Sequence, residues 1–144
     1  MHTENPAWSG IKKALHHFSH IPGDSDECKA LYGLRNALVH NGSIATRGRL
    51  DSAGNAQGPF HRFSFETRGA GGSVVEFPPT PWDGAWGKAP YTVLNKDRFY
   101  DLVEEVVRNV KGLFINGGLQ VRITSDELVD SFIMTLPHPP KPRT

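Results

Sequence analysis

The sequence predicts a mainly α domain of α+β type: a helical bundle with a β-hairpin inserted between its second and third helices. Three observations carry this reading. Apolar residues recur at three- and four-residue steps in three separate stretches. Nine of the 15 glycines and five of the 11 prolines fall within residues 41–90. Inside that window, HRFSFET alternates with period two, as a half-buried strand does. At 144 residues the chain is long enough to bury one proper core. The expected organisation is a single domain over residues 1–136, with the β-rich insertion at about 44–94 and a Pro-rich tail, PHPPKPRT, at 137–144.

The first helix is expected near Asn5 as N-cap, with Pro6 in its first turn. Trp8, Ile11, Leu15 and Phe18 form its apolar stripe, and Pro22-Gly23 stops it. Asp24 and Glu27 have the spacing of a capping box for the second helix. Its stripe runs Cys28, Leu31, Leu34 (or Tyr32) and Leu38, and Gly42 closes it with a left-handed cap. The strand HRFSFET, the turn GAGG and the strand SVVEF then make a hairpin over residues 60–77. PPTPWDGAWGKAP is too proline-rich for regular structure, and a short strand returns at Tyr91, Thr92, Val93 and Leu94. The third helix is capped by Asn95 and carries Phe99, Leu102, Val103, Val106, Val110, Leu113 and Phe114 until Asn116-Gly117-Gly118 ends it. LQVRI reads as a strand, and Thr124 with Glu127 opens a short helix through Met134.

Composition narrows the function. Sixteen Lys+Arg against fifteen Asp+Glu exclude a polycation that coats nucleic acid. The single Cys28 makes no internal disulfide, so a secreted disulfide framework is excluded. No apolar run approaches membrane-spanning length, and the start MHTENPAW has no signal-peptide core. The expected setting is the cytoplasm. Charge is unevenly spread all the same. Residues 29–68 hold six basic side chains (Lys29, Arg35, Arg47, Arg49, Arg62, Arg68) against two acidic ones (Asp51, Glu66).

LYGLRNALVHNGSI holds the main candidates for chemistry. Asn36 and His40, four apart, lie on one helix face, where the amide can orient the imidazole. Arg35 lies about 140° round the helix from His40, and its long guanidinium can bend toward the same cleft. An imidazole that takes and gives protons near neutrality, beside a phosphate-binding guanidinium, suits acid–base work on a phosphodiester. Arg47 and Arg49 follow closely enough to hold flanking phosphates of RNA. The plain alternative is an Arg and a His that only favour the negative end of the helix dipole. Other residues read structurally. His16, His17 and His20 mark a solvated face, although His16 and His20 have the spacing of a helical metal pair. Cys28 is a core residue, Trp82 and Trp86 cover the hairpin, and Asp101, Glu104 and Glu105 are solvated.

RNALVH resembles the Arg-x4-His signature of the HEPN superfamily, in which a polar residue, often Asn, follows the Arg. The resemblance covers about a dozen residues. It implies a helical domain acting as a metal-independent endoribonuclease without cofactor, of toxin–antitoxin or defence type. It assigns Arg35 to phosphate binding, His40 to acid–base catalysis and Asn36 to orientation. It also implies a homodimer whose motif helices face each other, so that two Arg35–His40 pairs share one cleft. An antitoxin or a nucleotidyltransferase would be a natural partner. Gly42 stands where nucleotidylated toxins of the family carry Tyr, and the β segment is large for the family. The other reading is a non-catalytic RNA- or nucleotide-binding module, or a protein-interaction module.

Overall fold

The structure is a computed structural model; it describes residues 7–46, 49–50, 52–53, 56–57, 60–69, 71–85, 87 and 90–119. Helix α1 spans Gly10–Phe18. It starts later than expected because the segment before it is tied elsewhere. Trp8 Nε1 donates to Asp24 Oδ1 at 3.0 Å, and its ring lies so close over Gly23 that a Cβ there would meet it at 2.6 Å. Asn5 and Pro6 lie outside the described residues. Leu15 and Phe18 are buried, as their spacing requires.

Helix α2 spans Asp26–Asn41. Ser25, rather than Asp24, is its N-cap, and the Ser25 hydroxyl accepts from the Cys28 N–H at 3.1 Å. Glu27 does not close a capping box. Its Oε1 accepts from the N–H groups of Val74 and Val75 at 3.0 and 3.1 Å, fastening the helix to a strand 47 residues on. At the far end Gly42 takes φ 58°, and its N–H and that of Ser43 bond Leu38 and Ala37 carbonyls. This is the expected left-handed cap. Cys28, Ala30, Leu31, Leu34 and Ala37 are buried, whereas Leu38 is 45% exposed. The buried face is therefore turned from the expected stripe toward the two alanines.

Six short strands follow among the described residues: β1 (Ala45–Thr46), β2 (Arg49–Leu50), β3 (Ala56–Gln57), β4 (His61–Glu66), β5 (Val75–Glu76) and β6 (Thr92–Asn95). Strands β2 and β3 form an antiparallel pair. The other four make a mixed sheet in the order β1-β4-β6-β5. Here the expected hairpin fails. β5 does not pair with β4, because β6 lies between them, parallel to β4 (Phe63 opposite Thr92) and antiparallel to β5 (Val75 opposite Leu94). Thr92, Leu94 and Asn95 are all buried, so β6 is a central strand. Arg68, just past β4, bonds both Glu66 and Glu76, linking the strands on either side of β6.

Helix α3 spans Lys96–Ile115. Asn95 caps it as expected, its Oδ1 accepting from Asp97 N–H at 3.2 Å, while its Nδ2 donates to the Gly69 and Gly71 carbonyls. Gly117 ends it at φ 72°. Only Leu102 of its stripe is buried, with Val106 packed against the core, and Phe99, Val103, Leu113 and Phe114 remain exposed.

The core joins Leu15, Leu31, Leu34 and Leu102 of the helices to Phe63, Val74, Val75 and Leu94 of the sheet region. Sheet and helices thus share one core. Three helices and a four-stranded mixed sheet among the described residues make an α+β fold, not the mainly helical bundle with a hairpin that the sequence suggested. The chain divides into two compact units, residues 1–112 and 113–144. The elements expected at LQVRI and through Met134, and the tail at 137–144, lie outside the described residues. No helix among the described residues is long and apolar enough to cross a membrane.

Candidate functional site

The motif residues sit on the outer side of α2. Arg35 and His40 are exposed and Asn36 is half-buried. Arg35 Nη1 donates to Asn36 Oδ1 at 3.0 Å, so the amide orients the guanidinium rather than the imidazole. His40 makes no hydrogen bond or ion pair among the described residues. Arg47 lies outside the described residues. Arg49 is in β2 with Gln57 opposite it. Within one chain the structure therefore brings Arg35 and Asn36 together and leaves His40 one helical turn away.

Two neighbours missed by the sequence reading complete this surface. Tyr32 is half-buried rather than in the core. The Asn36 amide beside its phenol holds Tyr32 below the ordinary tyrosine range, with Ser9 and the charges of Lys12 and Arg35 acting the same way against desolvation. Lys12 of α1 lies 5.4 Å over the Tyr32 ring. The signal was available, since Tyr32 and Asn36 are four apart. Lys12 becomes visible only once α1 is placed against α2. Together Lys12, Tyr32, Arg35 and Asn36 present two cations, an aromatic face and an amide, the side-chain types that grip phosphate, ribose and bases.

No family model, curated protein or solved structure matches the chain. Function therefore has to be read from the side chains themselves.

A concave feature lies elsewhere, where α2, the sheet and the proline-rich loop meet. This cleft of about 680 Å³ is walled by Phe60, Phe77 and Trp82, with Pro78 and Pro81 on the loop side. His61 and Thr92 are its buried polar groups, joined Nδ1 to Oγ1 at 3.0 Å. Burial lowers the His61 pKa from its ordinary 6.5, with the Asp26 charge opposing the shift. At the rim Lys29 pairs with Asp26 at 2.9 Å. Trp82 is 3% exposed, donates to the Ala85 carbonyl and meets Phe60 edge-on; the hairpin it was expected to cover does not form, and it packs beside β4 instead. Trp86 lies outside the described residues.

The remaining histidines of α1 and its exit have structural partners. His16 accepts from the Gly23 N–H and meets the Trp8 ring edge-on at 4.8 Å. His20 bonds Glu105 at 2.7 Å. Among the described residues no three His, Cys, Asp or Glu side chains are grouped to hold a metal ion.

Proposed function

We propose that this protein is a cytoplasmic RNA-binding domain whose contact surface is the outer side of α2. The observation that carries the reading is the Arg35–Asn36 pair set beside Tyr32 and Lys12. Arg35 is held by Asn36 through one nitrogen, which leaves its other donors for a phosphate. Lys12 adds a second charge, and Tyr32 offers an edge and a hydroxyl to a ribose. Binding of a short RNA, followed by anisotropy, should weaken about tenfold or more in Arg35→Ala, since charge-assisted contacts of this kind are worth roughly 1.5–3 kcal/mol. Unchanged binding would refute the reading.

Cleavage is a second reading, favoured by the position of His40 one turn beyond Asn36 on the same exposed face. In this mechanism an imidazole takes the proton of a ribose 2′-OH as that oxygen attacks the adjacent phosphorus. A protonated imidazole gives a proton to the departing 5′ oxygen, leaving a 2′,3′-cyclic phosphate. Arg35 steadies the charge on the phosphoryl oxygens. One chain holds Arg35 and His40 apart, so the reading requires a two-fold homodimer in which each copy completes the other's site. It is metal-independent: RNA incubated in EDTA is cut by the native chain and left whole by His40→Ala. Cutting that needs added metal, or that survives the substitution, rejects it.

A further inference from the structure

The cleft beside α2 has the make-up of a ligand site rather than of a packing defect. Ligand pockets run from about 300 to 1,000 Å³, mostly apolar, with a few placed polar groups. This one falls in that range and is walled by three aromatic rings. Its polar floor is a single connected pair. His61 is 8% exposed, and its Nδ1 is committed to Thr92, itself 2% exposed. The other ring nitrogen, Nε2, has no hydrogen-bond partner among the described residues. Phe63 and Phe77 flank the imidazole with centroids at 5.4 and 5.8 Å, which fixes its plane. A rigid imidazole edge at the bottom of an aromatic slot reads the edge of a flat heterocycle, as donor or acceptor according to its tautomer.

What stands at the mouth narrows the ligand. Lys29 occupies the rim, on the first turns of α2, paired there with Asp26 at 2.9 Å. Lys29, Asn36 and His40 lie on one side of that helix, with Gly33 between them against the Thr46 side chain. From Lys29 to His40 this line runs about 16 Å, at 1.5 Å per residue. An anionic backbone laid along it places one end at the cleft and passes Arg35 and Asn36 on the way.

We propose that the cleft between α2, β4 and the 77–82 loop binds a nucleobase, its ring against Phe77, its edge on His61 and its phosphate at Lys29. The choice of a nucleobase over another flat ring rests on the RNA-binding reading above. The same chemistry is offered by a free nucleotide and by an unstacked base of a strand, and the two sources are separable.

The test is a titration of the full chain, followed by NMR of the His61 ring and the Phe77 signals. The probes are the four nucleoside 5′-monophosphates, ribose 5-phosphate, a short oligoribonucleotide and its abasic counterpart. The expected result is that at least one mononucleotide moves both sets of signals while ribose 5-phosphate moves neither. Phe77→Ala should weaken that binding about tenfold, as loss of one stacking partner does. Phe77 is 45% exposed, so the variant is expected to fold; should it not, the contrast between mononucleotide and ribose 5-phosphate decides alone. Tighter binding of the oligoribonucleotide than of its abasic form assigns the cleft to a base in a strand. Equal binding of the two, with mononucleotide shifts intact, assigns it to a free nucleotide. Failure of every base-containing probe to move the His61 signals overturns the proposal. Because Arg35→Ala is read on a short RNA by anisotropy, whereas the cleft is read at His61 with mononucleotides, the two readings stand or fall separately.

Discussion

His61 and Cys28 show how a single side chain can record its surroundings. Burial lowers the His61 pKa, so the folded chain keeps that imidazole neutral where the unfolded chain begins to bind a proton. The unfolded state then holds more protons, and stability rises with pH across that interval. The contribution is level above the unfolded value of about 6.5 and declines as pH falls below it toward the folded value. Urea midpoints should therefore agree between about pH 8 and about pH 7 and drop on acidification, with a shallower drop in His61→Gln. An equally steep drop in that variant would assign the acid sensitivity to other groups. Cys28 is fully buried, and burial pushes its thiol above the ordinary range. A thiol reagent should react only as fast as the chain opens, and stoichiometrically in denaturant. Prompt labelling of the native chain would contradict the packing of α2.

At the scale of elements, Glu27 is the fastening that the sequence pattern misplaced. One carboxylate oxygen accepts from two neighbouring N–H groups, those of Val74 and Val75, where the chain enters β5. Glu27→Ala leaves both donors short, at a cost of about 2–3 kcal/mol. Glu27→Gln keeps an acceptor oxygen at the same reach and should lose about half as much, since only the charge assistance goes. Equal losses in the two variants would show that the side chain acts through packing. The elements that were legible are those whose cause is local. The left-handed cap at Gly42, the Asn95 cap, the helical period of α3 and the strand beginning near Thr92 depend on residues within a turn or two. The strand order was not legible, because period two in HRFSFET shows that a strand exists without naming its neighbour. GAGG favours the nearest partner, yet β6, about 30 residues on, takes that place with Leu94 and Asn95 buried. The same division holds for the sites. Arg35, Asn36 and His40 share one helix and were visible together, whereas the cleft is assembled from α2, β4, β6 and the 77–82 loop, and no local pattern joins them.

For the whole molecule, charge is the property that decides how RNA would be approached. The net charge is +1, so no strong long-range field draws a strand in from every side. Basic groups are concentrated in residues 29–68, while the first turns of α3 carry Asp97, Asp101, Glu104 and Glu105 against Lys96 and Arg98. A strand held at Lys12, Lys29 and Arg35 meets two or three phosphates. Each phosphate neutralised on a single strand contributes about −0.7 to the slope of log affinity against log salt. The expected slope is therefore about −1.4 to −2. Arg35→Ala should flatten it by about 0.7, the share of one phosphate. A substitution at the acidic face, Glu104→Gln, should leave the slope where it was, because that side chain is exposed on α3, outside the basic segment. A slope steeper than about −4 would require at least twice the cations that the outer side of α2 presents, and would place the strand on another surface.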